Sequence, residues 1–191
     1  SNKYKKVAEN TEVKELDIIR TSLSSEVTIL FDDGTNVYLT ENTTIELKKL
    51  YENKKKSDKK TELNMILGIC KIEVTGSTFK TSKFQLSTPN AVIGVRGTSF
   101  IVESKENITS LSVLANNVKF KSIGSGKEID VKSGYTSKVT GDKDPSKPKK
   151  TKEEDLKGIV KKDVLDGNIL PPILNMKEMI FAIILIIILA I

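Results

Sequence analysis

Between Val13 and Val139, apolar and polar residues alternate with a period of two, and glycine, proline or asparagine breaks the alternation at short intervals. Val27, Ile29 and Phe31 share one face of a predicted strand; Asp32-Asp33-Gly34 then turns the chain back along Asn36 to Leu39, with Val37 and Leu39 on one face. Asp-Gly between two β-rich runs favours a hairpin, because the turn needs a positive φ that glycine adopts without a steric penalty. Ile45 and Leu47 form a further short strand. Cys70, Ile72 and Val74 form another, entered at Gly68, where a strand interior would avoid glycine unless it bends or bulges. Phe84 and Leu86 lead to Pro89, which cannot donate to a ladder and so ends a strand or marks an edge. Ala91, Ile93 and Val95 resume the pattern, Arg96-Gly97 turns, and Phe100-Ile101-Val102 is an unbroken apolar triplet, as in a strand buried on both faces. Leu111 and Val113, then Val118 and Phe120, flank Asn116-Asn117, which predicts a hairpin, since asparagine tolerates the left-handed region. Further turns at 124–126 and 133–134 complete a spacing of about 8–12 residues, that of an all-β domain. The expected fold over 13–140 is therefore all-β, a compact array of short antiparallel strands arranged as a sandwich or β-solenoid-like stack, behind a flexible polar segment at 1–12.

Past this domain the period changes. Residues 141–151, with Pro145 and Pro148 among lysines, read as an extended, solvated linker. Thr151 precedes Glu154 by three positions, a capping-box pattern, and Leu156, Ile159, Val160 and Val164 recur at helical spacing, which predicts an amphipathic helix over 152–167. Pro171-Pro172 breaks it. Residues 173–191 are expected to form a hydrophobic helix: the run from Met179 to Ile191 contains no polar residue, but as a helix it would span only about 20 Å of a roughly 30 Å hydrocarbon core, so a truncated transmembrane segment is the expectation.

Charge changes the picture at one place. The net charge is +6, and residues 48–60 hold seven lysines against two acids. The span 48–62 reads as a basic loop inserted between strands; with only Tyr51 as an aromatic neighbour, a solvated loop is favoured over a nucleic-acid or lipid surface. Histidine is absent, which removes the commonest general base and metal ligand. Cys70 is the lone cysteine and lies in an apolar run, so it is read as core filler rather than a nucleophile. Neither a phosphate-cradling glycine loop nor a nucleophile elbow is present, and Asp32-Asp33 is more simply the start of a turn than an acid–base pair. No catalytic, cofactor or metal residue is therefore nominated, and no enzyme is expected.

The run Ser87-Thr88-Pro89-Asn90-Ala91-Val92-Ile93-Gly94-Val95-Arg96-Gly97-Thr98-Ser99-Phe100 resembles the signature of FecR-type domains, a TP…VRGT.F segment. Val27 to Leu39 resembles the family's L.DGT.V.L hairpin, Asn42 to Leu47 its following strand, Leu67-Gly68 its L..G element, and 127–139 its closing element. The resemblance covers about Leu16 to Val139 and implies a non-enzymatic, extracytoplasmic, membrane-associated signalling or interaction module with a protein partner in the cell envelope. The namesake proteins regulate sigma factors in iron–siderophore uptake. In this sequence, however, the hydrophobic segment follows the domain. A structural envelope domain holding glycan or peptidoglycan is the alternative. No cofactor and no nucleic acid are implied, and the small-molecule ligand is open. The motif residues singled out are Asp33, Gly34, Thr88, Pro89, Val95, Arg96, Gly97, Thr98 and Phe100. Gly97 is expected at positive φ, Thr98 to bond turn backbone, and Arg96 to pair with Asp33 or Glu103, bond loop carbonyls, or contact an anionic partner.

Overall fold

One strand runs through both layers of the molecule. In the computed structural model, which describes residues 4–75, 81–156 and 159 and, as backbone, Thr81, Ser82 and Leu185–Ala190, β5 (Asp58–Glu73) is 16 residues long. Its first half pairs with β4 (Thr44–Asn53) on one side and, in parallel, with β6 (Thr81–Ser87) on the other. Its second half pairs antiparallel with β3 (Asn36–Leu39) and β8 (Ser99–Lys105). The first sheet is completed by β1 (Ile18–Arg20) beside β4, and by β7 (Ala91–Val95), β10 (Asn117–Ser122) and β11 (Glu128–Lys132) beyond β6. The second sheet adds β2 (Ser25–Leu30) outside β3, and β9 (Ile108–Ala115), β12 (Tyr135–Thr140) and β13 (Lys149–Lys150) beyond β8. The two sheets face each other over one apolar core, in which Ile29, Val37, Leu39, Ile45, Leu47, Leu63, Met65, Ile72, Leu86, Ile93, Phe100, Leu111, Val113 and Phe120 are fully buried.

The bend in β5 sits at Gly68, whose φ is +108°. A Cβ there would stand 2.5 Å from the Thr43 Cα, so only glycine allows the two backbones to approach. Thr43 fills the break in the ladder: the Ile69 N–H donates to its Oγ1 at 3.1 Å, and that hydroxyl donates to the Ile69 carbonyl at 3.1 Å. Thr21 braces the same corner, donating to the Thr40 carbonyl at 2.6 Å and accepting the Thr43 N–H at 2.8 Å. Because β5 leaves the first sheet and returns as β6, its second half serves as the crossover that parallel neighbours require.

The all-β expectation holds, as do the Asp33-Gly34 hairpin, with Gly34 at φ +80°, and the doubly buried Phe100-Ile101-Val102 strand. Other expectations need correction. The basic span 48–62 is no inserted loop but the body of the β4–β5 hairpin, turning at 54–57. Alternation carries it: Lys59, Thr61, Leu63 and Met65 all face inward, and the lysine count hid that period. Asn116-Asn117 is not a hairpin centre. β9 pairs with β8 and β12, while β10 pairs with β7 and β11, so Asn116, at φ +62°, carries the chain from one sheet to the other. The segment 141–151 is largely exposed, as a solvated linker would be, but it is tied to β12 rather than free. Ser146 N–H donates to the Lys138 carbonyl at 2.8 Å, Ser137 Oγ donates to the Ser146 carbonyl at 2.7 Å, and Lys149–Lys150 pairs with β12.

The amphipathic helix expected over 152–167 is described only at its start, where Glu153–Leu156 forms a 3-10 turn and the Lys152 N–H is capped by Asp155 at 3.0 Å rather than through a Thr151–Glu154 box. Leu156 and Ile159 pack on Tyr38 and Ile101, on the outer face of the second sheet. The remainder of that helix lies outside the described residues. Within the expected hydrophobic helix at 173–191, Leu185–Ala190 is extended instead and pairs antiparallel with β2 as β14; its isoleucine-rich sequence suits a strand, and the β2 edge offers free backbone groups. Residues 173–184 and 191 lie outside the described residues. Among the described residues no helix is long and apolar enough to cross a membrane.

Gly68→Ala is expected to lower the unfolding free energy by about 2–4 kcal/mol through strain and overlap with Thr43. Gly94→Ala, where a Cβ meets nothing within 4 Å, is expected to be neutral or stabilising by up to about 1 kcal/mol. Urea denaturation of the two variants side by side checks both.

Candidate functional site

The motif residues divide between two ends of the sandwich. At one end, the turn between β6 and β7 is a polar bolt across the sheets. Thr88 accepts the Ala91 N–H at 3.0 Å and shares a 2.7 Å hydrogen bond with Thr109. Asn90 donates to the Asn107 carbonyl at 2.8 Å and the Val139 carbonyl at 3.3 Å, and its Oδ1 accepts from the Thr109 hydroxyl. Thr88, Asn90 and Thr109 are all buried, so these bonds form where water does not compete. Pro89 sits exposed at the tip, where no ladder donor is needed.

At the other end, the DGT and RGT segments meet. Asp33 forms an ion pair with Lys59 at 2.7 Å and accepts the Thr35 N–H at 2.9 Å. Register places Asn36, Glu73 and Ser99 side by side on β3, β5 and β8, which puts Thr35, Val74 and Thr98 in the next row, and the Val74 N–H donates to the Thr98 carbonyl at 2.8 Å. Thr35 and Thr98 point inward, share faces with Val37 and Phe100, and are buried; the Thr98 hydroxyl has no partner among the described residues. The expectation that Thr98 bonds turn backbone through its side chain is thus not met; its carbonyl does that work. Gly97 has the expected positive φ, +62°, and the Asn116 side chain donates to its carbonyl at 2.6 Å, which ties together the two corners where the chain changes sheets. Val95 and Phe100 are core.

Arg96 stands apart from both clusters. It is exposed on the outer face of the first sheet, on the side opposite Val95. Asp33 is occupied by Lys59, and Glu103 lies on the outer face of the second sheet beside Ile101, so neither expected carboxylate pairs with Arg96. Lys59, Thr35, Asn90 and Thr109 were missed as site residues. The inward period Lys59-Thr61-Leu63-Met65 was the available signal for the first, the DGT element and the TP…VRGT run for Thr35 and Asn90, and nothing local in the sequence marks Thr109.

Chemically, both ends are built to hold rather than to react. Burial pushes the Asp33 carboxyl up, but the Lys59 hydrogen bond, with the Thr35 N–H, outweighs it and holds the group below its ordinary value. Burial pushes the Cys70 thiol up to about 12, and its sulfur lies 3.6 Å from that of Met65, so this cysteine is a packing group and not a nucleophile.

Because the folded carboxyl of Asp33 titrates below 3.8, its contribution to stability is complete above that value and is lost as pH falls through the lower folded value. Asp33→Asn is expected to cost about 3 kcal/mol at neutral pH by stranding Lys59. The gap between variant and wild type should close as pH is taken below 3.8 in stepped urea titrations. Thr98→Val removes a buried hydroxyl that has no partner and is expected to stabilise the fold by up to about 1 kcal/mol in the same assay.

The sequence matches the family model described as FecR protein over residues 17–119, more than half the chain. Among curated proteins none matches significantly. Two crystal structures of a protein assigned as an anti-sigma factor from Parabacteroides distasonis ATCC 8503 share the fold, with TM-scores of 0.58 and 0.56 at 18% sequence identity. The alignments cover 71% of this chain and 60% of those, so the chain spans less than two thirds of the solved proteins it resembles. The matched interval holds the DGT hairpin, the Gly68 bend and the whole TP…VRGT run. The chain belongs to the FecR protein family.

Proposed function

We propose that this chain is a non-enzymatic signalling and interaction module of the FecR type, working outside the cytoplasm on a protein partner in the cell envelope. The observation that carries this reading is the family match over 17–119 together with what its motif residues do: they form turns, a buried ion pair and inter-sheet bonds, and so maintain a rigid scaffold that leaves exposed side chains such as Arg96 on the outer face of the first sheet for a partner. The solved neighbours assigned as anti-sigma factors support a regulatory role. Iron-uptake signalling is the family setting in which such a module would act. Membrane association through the apolar run 179–191 is part of the proposal. Composition supports it, and it requires Leu185–Ala190 to leave β2.

Chemical cross-linking of the tagged full chain in cells, followed by purification from the envelope fraction, tests the reading. The expected result is capture of a defined transport or regulatory protein. Retention of peptidoglycan or glycan with no protein would overturn it in favour of a structural envelope role.

A further inference from the structure

The outer face of the first sheet gathers charges that are far apart in the sequence. Tyr51 on β4 lies opposite Lys60 on β5, and Lys60 lies beside Lys83 on β6. Phe84 pairs with Val95, which sets Arg96 next to Lys83, and the pairing of β7 with β10 and of β10 with β11 brings Lys132 into the same row. At about 4.8 Å per strand, the line from Lys60 to Lys132 is about 19 Å long, the reach of about six extended residues. Lys83, Arg96 and Lys132 are exposed, and among the described residues no carboxylate forms an ion pair with them. At the β4 end the row opens into a hollow of about 330 Å³ lined by Lys49, Tyr51, Lys60 and Lys83, with Asp58 its one carboxylate. The field there is visible in Glu62: the hydrogen bond from Lys60, with Lys49 and Lys48 close by, holds its carboxyl below the ordinary range. Gly94, in the row alongside, leaves open space above the sheet, so an incoming backbone can approach.

We propose that this face is the docking surface for an extended acidic peptide segment of the protein partner, lying across the strands with its carboxylates on Lys83, Arg96 and Lys132 and one acidic side chain in the Tyr51 hollow, where Lys60 is already paired with Glu62. The inference rests on the reading above, that the module binds a protein. An extended peptide fits because alternate side chains project to one side about 6.8 Å apart, a spacing that flexible lysine and arginine side chains on neighbouring strands can meet. A single-stranded nucleic acid fits less well, since Tyr51 is the one aromatic among the described residues of this row and base binding relies on several stacking rings. The role also gives Arg96 a task that its exposed position does not supply within the fold.

The test is titration of the full chain, isotope-labelled for NMR, with a synthetic peptide of alternating Glu and Ser, against the Gln–Ser peptide, a single-stranded oligonucleotide and anionic lipid vesicles. Binding of the Glu–Ser peptide alone, weakening with salt and with shifts centred on Tyr51, Lys60, Lys83 and Arg96, is the expected result. Lys83→Glu with Arg96→Glu should weaken it by roughly tenfold or more, as should Lys83→Glu with Lys132→Glu, which leaves the motif untouched; Lys147→Glu, beside β13, should not. No binding, equal binding by the variants, or tighter binding of the oligonucleotide or vesicles overturns the proposal. In the cross-linking experiment the two readings separate. A partner captured equally well by the Lys83/Lys132 variant refutes the docking face alone, whereas no partner captured by wild type refutes the module's function.

Discussion

The fold depends on a close approach of two backbones, where β5 bends at Gly68 over Thr43. A strand of this length would ordinarily belong to one sheet. Here the bend lets it hold β4 and β6 in one layer and β3 and β8 in the other, so both sheets are built on the same segment and their spacing is fixed covalently. The hydroxyl of Thr43 accepts the Ile69 N–H at the bend, and the Ile69 carbonyl accepts from both Thr43 and Thr40. The core is then closed at its two ends by polar groups, the Thr88–Asn90–Thr109 cluster and the Asp33–Lys59 pair. Apolar residues fill the middle of the sandwich, and fixed hydrogen bonds and charge set the register at its ends.

That division accounts for what the sequence pattern conveyed and what it did not. Asp33-Gly34 was legible because a two-strand turn leaves a local signature, and Gly68 and Gly97 because positive φ at glycine is a local demand. Asn116 was misread because a positive φ fits a hairpin centre and a sheet-to-sheet corner equally well, and only the distant pairing of β9 with β12 and β10 with β7 tells them apart. The lysines at 48–60 conceal their strands for the opposite reason: their composition suggests a loop, while the inward period of Lys59, Thr61, Leu63 and Met65 gives a strand. Asn90 and Thr109 act through partners at 107, 139 and 88, which no local pattern reveals. The family motif, read as one site, turned out to serve two ends of the molecule and, through Arg96, one outer face.

The separation of inward and outward roles within a single run of residues has a functional side. In Val95-Arg96-Gly97-Thr98, the valine and threonine face the core, the glycine makes the corner, and the arginine faces solvent. A scaffold of this kind can exchange its surface side chains to suit a partner while its turns and ion pair stay constant, which is how one fold comes to host different recognition tasks.

The shared strand also governs how the chain can reach its native state. Gly68–Glu73 is hydrogen-bonded on one side to residues 36–39 and on the other to residues 99–104. During synthesis, that second flank stays bare until β8 has emerged, with Cys70 and Ile72 waiting on a half-made ladder. Contacts so distant along the chain make for slow folding, and an unmated strand is a template for wrong pairing. The same bend that unites the two layers thus leaves one flank of β5 unpaired in the growing chain until residues 99–104 can close it.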